Sequence, residues 1–376
     1  MNVLTVCSIL DPRLGGGEAE RSFQLTKSFI KSGINAKLLT SVCSVERLND
    51  LSCSRIIIIP SFFRRYIFPI PKIVRLTRLI KKSDVVQLVG NWNFLHFYVF
   101  ILLKFIRKPY IFCPSGALVI YGRSILLKRI YWILIGAKIL RGAKFSVAIT
   151  KDEMQQLLEK GAPSNKVVCI PNGVNPSDFL YFDREVFLQT YGIKNPYILF
   201  CGRLNKIKGP DILLEAFLKL AELVEDIDLV FAGPDEGLKE SMMEFIYQNK
   251  LNNRVHFLGY ISGQEKSNVY HNAKLLAIPS RHEAMSIVAL EAGISGLPVM
   301  MTNRCGFSEI SQNKMGWELN PDPNEFATKL YQVINDQKEL ALYKKKIRKF
   351  VHNNYTWHSA AKKYENLFRL IIKGNT

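Results

Sequence analysis

Short runs of β-branched and aliphatic residues alternate with longer amphipathic stretches along this chain, and that alternation restricts the fold more than any other feature. In the first half the apolar runs cover residues 3–9, 36–39, 55–59, 85–89, 110–113 and 145–149, with helical patterning over about 19–32 and 72–82. The second half repeats the style. Runs at 197–201, 228–232, 255–258, 274–278 and 298–302 are interleaved with helical patterns over about 210–223 and 238–248 and after residue 285. Strand and helix in alternation predict parallel sheets covered by helices on both faces. A chain of 376 residues, 48% hydrophobic, exceeds one comfortable core, so two doubly wound domains are expected.

A turn-rich passage from Pro171-Asn-Gly-Val-Asn-Pro176 to Asn195-Pro196 marks the seam. The expected division is 1–178 for an N-terminal, acceptor-side domain, 179–195 for a linker and 196–354 for a C-terminal domain. Residues 355–370 read as a helix with Trp357, Ala361, Tyr364, Leu367 and Phe368 on one face.

Several classes fall away. Seven scattered cysteines form no Cys-x-x-Cys, which argues against a disulfide framework or a zinc site and for a reducing compartment. The first ten residues are apolar, lack a basic leader and run into Asp11-Pro12-Arg13, which suits a buried strand better than a signal peptide. The longest apolar run, 94–103, contains His96 and is well short of a spanning helix. The net charge of +19 is lopsided: residues 1–180 hold 26 Lys and Arg against 10 Asp and Glu, residues 181–376 hold 25 against 22. A +16 half should face something anionic.

The stretch Pro279-Ser-Arg-His-Glu-Ala-Met-Ser-Ile-Val-Ala-Leu-Glu291 holds two carboxylates eight residues apart. Read as a helix from about Met285, it offers unpaired N–H groups and the positive end of the dipole, with Glu283 and Glu291 roughly on one face. Such an element can hold an anion and hydrogen-bond hydroxyls on either side. With the Gly-Leu-Pro-Val at 296–299 and Cys-Gly-Phe-Ser-Glu at 305–309, it resembles the donor-site region of the retaining glycosyltransferases of the GT-B fold, family 4. Ile170-Pro-Asn-Gly-Val174 resembles the interdomain signature of that family.

The resemblance extends to the phosphate-binding parts. Transfer of a sugar from a nucleotide diphosphate leaves negative phosphates behind, which fixed cations can stabilise in place of a metal. Cys201-Gly-Arg-Leu-Asn-Lys-Ile-Lys-Gly209 supplies Arg203 and Lys208 directly after a strand. It is similar to the family element whose two cations bind the donor diphosphate. Gly15-Gly-Gly-Glu18 resembles the Gly-Gly-x-Glu loop that reaches the diphosphate from the N-terminal domain, so Gly16 and Gly17 are donor-binding candidates. The resemblance implies that Glu291 bonds the ribose hydroxyls and that Glu283 sits beside the transferred sugar. Ser286 and Ile287 then stand at the phosphates, and backbone groups near Gly233 and Gly259-Tyr260-Ile261, with Arg281, frame the base and phosphates. Asp226-Ile-Asp228 has a metal-binding spacing but stands at a turn entering a strand, so no metal site is expected.

Two departures stand out. Glu283-Ala-Met-Ser286 replaces the usual Glu-Gly-Phe-Gly or Glu-Pro-Phe-Gly, which alters the sugar pocket, and Pro114-Ser-Gly-Ala117 lacks the histidine many members carry there. His96 reads as a packed side chain, and no general base is assigned.

On the acceptor side, Phe62-Phe-Arg-Arg65 and the basic amphipathic run 71–82 join aromatics to cations. Ile73, Leu76, Leu79 and Ile80 fall on one side and Lys72, Arg75, Arg78, Lys81 and Lys82 largely on another, a pattern that suits an anionic bilayer. The expected fold class is therefore α/β, with two Rossmann-like doubly wound domains facing across a cleft (GT-B) and a C-terminal helix, 355–376, crossing back to the N-terminal domain. The expected function is retaining transfer of a hexose-type sugar from a UDP- or GDP-linked donor, without a further cofactor, to a polyprenyl-diphosphate-linked glycan in bacterial surface polysaccharide biosynthesis. A monomer or weak homodimer, peripheral on the inner face of the cell membrane, is implied. Two alternatives remain: a non-hydrolysing nucleotide-sugar epimerase, which would want more N-terminal carboxylates, and a basic nucleic-acid-binding protein, for which no recognition motif is present.

Overall fold

The computed structural model describes residues 1–62, 69–70, 72–120 and 124–374. The chain forms two compact units, one of residues Met1–Gly173 with Trp357–Thr376, the other Val174–Thr356. The crossings thus fall at 173/174 and 356/357. The stretch 179–195, expected as a linker, belongs to the second unit: it contains the helix Arg184–Tyr191, whose Phe187 is buried and stacks on Tyr197 at 5.5 Å. Turn residues flank its short helical pattern closely on both sides, Asp183 before it and Gly192 after it.

The first unit is built on a seven-stranded parallel sheet. Its strands are β1 (Asn2–Val6), β2 (Asn35–Thr40), β3 (Ile56–Ile58), β4 (Val85–Val89), β5 (Tyr110–Cys113), β6 (Phe145–Ala148) and β7 (Val167–Cys169), in spatial order 3-2-1-4-5-6-7. The second unit has six strands: β8 (Tyr197–Cys201), β9 (Asp228–Ala232), β10 (Val255–Gly259), β11 (Leu275–Ile278), β12 (Val299–Thr302) and β13 (Gly316–Leu319), in order 10-9-8-11-12-13. Central strands such as β4 and β9 are buried at every residue because helices cover both faces. That is why they read as mainly apolar runs, interrupted only by Gln87 in β4 and Asp228 at the start of β9. The two strands missed in the sequence, β7 and β13, are edge strands, short and only partly buried, and β13 begins with Gly316 and carries Glu318.

The apolar run 94–103 is a helix, Phe94–Ile106, capped by the Asn93 side chain accepting from the His96 amide. Among the described residues no helix is long and apolar enough to cross a membrane. The last helix, Trp357–Lys373, buries the predicted face: Trp357, Ala361, Tyr364, Leu367 and Phe368. It packs within the first unit on the helix Pro12–Lys31, with Phe29 edge-on to Phe368 at 5.3 Å and to Tyr364 at 5.9 Å. Arg21, wholly buried, ties this layer together by donating to Asn172 Oδ1 at 2.8 Å, the Ile170 carbonyl at 2.8 Å and the Tyr364 hydroxyl at 3.1 Å.

In each sheet the strand order reverses beside the first strand, between β1 and β4 and between β8 and β11. Loops leaving the carboxyl ends of such a pair diverge and leave a crevice, the usual ligand position in open α/β sheets.

Candidate active site

In the second unit that crevice is flanked by the loop after β8, which carries Arg203 and Lys208, and the loop after β11, which carries Glu283 and Ser286. Gly209 joins the loops. Its φ is +69°, and a Cβ there would collide with the Pro279 carbonyl oxygen, so the backbones approach as closely as they do only without a side chain. Opposite, Gly306 at φ +60° lies against the Ala284 carbonyl in the same way. The loop after β11 is further held by Glu283 N donating to the Arg304 carbonyl at 2.8 Å and Ser286 N to the Cys305 carbonyl at 3.2 Å. Thr302 Oγ1 donates to the Ser280 carbonyl at 2.6 Å.

The helix begins later than the sequence predicts, at Ile287, and ends at Ser295. Glu283 is therefore a loop residue, and helical periodicity does not set its relation to Glu291. Tertiary hydrogen bonds do, because Ala284, Met285 and Ser286 are spent on the turn around Gly306.

Two carboxylate–cation couples result. Glu283 Oε1 lies 2.8 Å from Lys208 Nζ, and its Oε2 accepts from Ser280 Oγ at 3.3 Å. Glu291, 7% exposed, accepts from Lys266 Nζ at 2.6 Å and the Tyr270 hydroxyl at 3.0 Å. Burial pushes the Tyr270 phenol well above its usual pKa, with the Cys201 and Glu291 charges adding to it. Tyr270 is thus a fixed donor at neutral pH. A carboxylate offers about four lone-pair sites, so Glu291 keeps acceptor capacity beyond these two bonds.

Arg203 is half-exposed and donates through one guanidinium nitrogen to Glu236 Oε1 at 2.8 Å. Asn205 donates to Glu236 Oε2 at 2.6 Å and accepts from the Lys208 amide at 2.9 Å, which fixes the loop between the two cations. Arg281 bonds protein groups of the neighbouring loop. It forks onto Asp211 with two bonds of 2.9 Å and donates to the Lys206 carbonyl at 2.7 Å, a strap between the loops. Burial raises the pKa of the Asp211 carboxyl, but bonds from Arg281 and Lys206 outweigh it and hold the value below the usual range.

Ser286 occupies the cap position of the helix Ile287–Ser295 without capping it. Its Oγ is buried and has no hydrogen-bond partner among the described residues. A buried orphan hydroxyl costs about 1–3 kcal/mol, and a ligand acceptor would relieve that cost. The Ile287 amide and those after it lack intrahelical partners. An anion fits there.

Gly16 and Gly17 belong to the first unit, after β1, beside the reversal point of its own sheet. Gly16 is non-helical (φ 57°, ψ −143°) and divides a single turn, Pro12–Gly15, capped by Asp11, from the long helix that follows, so the glycines stand at the start of that helix. Behind them the Glu18 carboxyl tucks against Gly90, where a Cβ would collide with it, and accepts from Ser8 Oγ at 3.5 Å and Cys7 Sγ at 3.7 Å. Burial raises its pKa to about 8. His96 is buried between Asn93 and the Val6 carbonyl, and burial lowers its pKa to about 4, so it is a packed neutral side chain.

The Asp-x-Asp pair lies at the amino end of β9, away from the carboxyl edge, and Asp228 bonds His256 at 2.9 Å and Asn195 at 3.1 Å. Among the described residues no group of three or more His, Cys, Asp or Glu is placed to hold a metal ion. Sequence reasoning brought Arg203, Lys208, Glu283, Ser286, Ile287 and Glu291 to this unit. It missed Glu236, Asn205, Lys266 and Tyr270. The spacing of four between Lys266 and Tyr270 puts them on one helical face, within Gly263–Asn272, but nothing in the sequence ties that face to Glu291.

Residues 63–68 and 71, which carry part of the expected basic stretch, lie outside the described residues. The helix Ile73–Lys82 spends Leu76 and Ile80 on the core. That apolar side is not a lipid-facing surface, because the sheet requires the cover; only Ile73 and Val74 at its start are exposed.

Residues 15–178 match the model of Glycosyltransferase Family 4, and residues 183–350 match the model of Glycosyl transferases group 1. Relatives include an uncharacterized glycosyltransferase of Methanocaldococcus jannaschii, 30% identical over 219 residues, covering 56% of this chain and 56% of that protein. The mannosylfructose-phosphate synthase of Agrobacterium fabrum is 28% identical over 199 residues, covering 50% of this chain and 44% of that protein. A D-inositol 3-phosphate glycosyltransferase of Nocardia farcinica is 32% identical over 186 residues, covering 46% and 41%. The chain spans about half the length of the curated relatives it matches.

Solved structures align over nearly the whole chain. Anabaena HepE in complex with UDP-glucose has a TM-score of 0.78 at 17% identity, covering 98% of this chain and 99% of that one. The sucrose-phosphate synthase of Thermosynechococcus elongatus has 0.78 at 18%, covering 100% of both. These likenesses establish the GT-B fold.

Proposed function

The chain belongs to the group 1, family 4 glycosyltransferases of the GT-B fold, and from that premise we propose that it transfers a hexose-type sugar, with retention, from a nucleotide diphosphate donor to a lipid-linked glycan. The observation that carries the reading is the contact of Lys208 with Glu283, which joins two residues 75 apart in sequence at the carboxyl edge of one sheet, beside a helix N-terminus with an orphan hydroxyl. The donor diphosphate fits at Ser286 and Ile287, with Lys208 and Arg203 supplying charge where the leaving phosphate develops it. Glu291 accepts from the ribose, its orientation fixed by Lys266 and Tyr270. Glu283, held by Ser280 and Lys208, orients the sugar hydroxyls and faces the positive charge that grows at the anomeric carbon. The departing phosphate oxygen takes the acceptor proton, and no protein base is assigned.

The donor is UDP- or GDP-linked in this reading, and a structural neighbour solved with UDP-glucose supports the uridine form. The acceptor is a polyprenyl-diphosphate-linked glycan of bacterial surface polysaccharide, met at the inner face of the membrane by a monomeric or weakly dimeric protein; the +16 balance of residues 1–180 supports an anionic partner. Two fixed cations and a helix N-terminus also support chemistry without a divalent metal.

The test is a thermal-shift screen of nucleoside diphosphates and their sugars with and without EDTA. A ligand at 100 times its dissociation constant stabilises by about 2.7 kcal/mol. One nucleotide should raise the melting temperature, and transfer with its sugar should persist in EDTA. Transfer abolished by EDTA and restored by manganese would refute the metal-free reading, and no response to any nucleotide would refute the donor site.

A further inference from the structure

Between Asp84 and Asp152 the chain carries no acidic residue and ten Lys and Arg. Inside that stretch the helix Ile125–Tyr131, continued by a π-helical turn Trp132–Gly136, exposes six large aliphatic side chains: Ile125, Leu126, Leu127, Ile130, Ile133 and Leu134. Leu126 and Ile133 are 70% and 71% exposed. Residues 126, 130 and 133 and residues 127, 130 and 134 recur at spacings of three and four, so they form one stripe along the helix. The other side is anchored: Tyr131 and Ile135 are in the core, and the Tyr131 hydroxyl donates to the Asn93 carbonyl at 2.9 Å. Trp92 and Phe94 pack edge-on to Tyr131 at 5.8 and 6.2 Å. The stripe is thus the outer face of a fixed ridge, and Arg129 is exposed among its residues.

Topology places the ridge. In a parallel sheet the crossover helices run against the strands, so the N-terminus of a helix that follows β5 stands at the carboxyl edge. The start of the helix Ile73–Lys82, with exposed Ile73 and Val74 and the cations Lys72 and Arg75 beside them, stands at that edge too. Ligands of such sheets bind there. An apolar stripe on a soluble face demands an occupant. A second copy of this chain is disfavoured, since it would bring another +16 half against the first.

We propose that the ridge 125–134 inserts into the interface of an anionic lipid bilayer, its aliphatic stripe among the acyl chains and Arg129 with the neighbouring cations at the headgroups. The inference deepens the membrane part of the reading above, and it moves the apolar contact from residues 71–82, where Leu76 and Ile80 are core, to a segment whose aliphatics face outward. It does not depend on sugar transfer.

The experiment is co-sedimentation of the full chain with vesicles of phosphatidylcholine alone or mixed with phosphatidylglycerol, for wild type and for Leu126→Ser/Ile130→Ser/Ile133→Ser. No donor or acceptor is needed, so failure here and failure of the transferase reading are separable. Wild type should prefer the anionic vesicles and release in high salt. The variant should lose about 100-fold in partitioning, since three side chains no longer transfer from water. Its melting temperature should stay near wild type because these side chains are exposed. Sedimentation velocity without vesicles should show monomer for both. Equal binding of variant and wild type, equal binding of wild type to both vesicle types, or a wild-type dimer abolished by the substitutions would each overturn the proposal, the last by making the ridge a self-association surface.

Discussion

Replacing Lys208 by alanine should damage stability and chemistry together, and a second substitution should repair only the first. Lys208 Nζ and Glu283 Oε1 are 2.8 Å apart, with side chains 23% and 13% exposed. At an effective dielectric of 20 the attraction is about 6 kcal/mol before desolvation is subtracted. Most of it offsets the desolvation of the two charges, so the net contribution of the pair is small. The cost of breaking it is larger, because Lys208→Ala strands a mostly buried carboxylate whose other recorded partner is Ser280 Oγ at 3.3 Å. Partial exposure discounts the roughly 3–5 kcal/mol of a fully buried broken pair to about 2 kcal/mol. In the unfolding transition of this unit that is a fall of about 4–8 °C. Lys208→Ala/Glu283→Gln removes the stranded charge and should recover most of the loss. Turnover should behave differently: losing one donor at the leaving phosphate costs about 100-fold or more, and the double variant should be no better than the single. Differential scanning calorimetry and initial rates on the three proteins decide it. A double variant as unstable as Lys208→Ala, or near-normal turnover in Lys208→Ala, would refute the reasoning.

The two glutamates should separate kinetically. Glu291→Gln weakens the bonds offered to a ribose and should lower nucleotide affinity in calorimetric titration, whereas Glu283→Gln should leave affinity intact and lower kcat; equal loss of affinity in both would undo the division of roles. Glu18 should make stability fall with rising pH. Its folded-state pKa is raised from 4.5 to about 8, so between those values the folded protein keeps a proton that the unfolded chain gives up, and stability drains away through that window. Glu18→Gln removes the titration and should raise the melting temperature relative to wild type more at pH 8.5 than at pH 5; an equal difference at both pH values would mean the carboxyl is not buried as described.

Much of the molecule was legible in the sequence. Strands β4, β5, β8 and β9 fall on the apolar runs to the residue, because a strand buried on both faces is mainly apolar, Gln87 in β4 and Asp228 at the start of β9 being exceptions. The last helix could be read for the same kind of reason, since Trp357, Tyr364 and Phe368 keep a helical period when one face is buried. Arg203, Lys208, Glu283 and Glu291 were visible because they stand in short motifs that resemble those of the family, and the structure brings Lys208 onto Glu283. The tertiary structure decided the rest. Whether Glu283 was helical turned on Gly306 and the Arg304 carbonyl, and the partners of Glu291 came from a helix 21 and 25 residues away. Whether an amphipathic basic helix faced lipid or core turned on the sheet beneath it: residues 73–82 and 125–134 are both aliphatic and basic, yet the sheet buries Leu76 and Ile80 of one and leaves Leu126 and Ile133 of the other in water. Periodicity states that a face exists, and only the fold states what covers it, because burial is a property of neighbours distant in the chain.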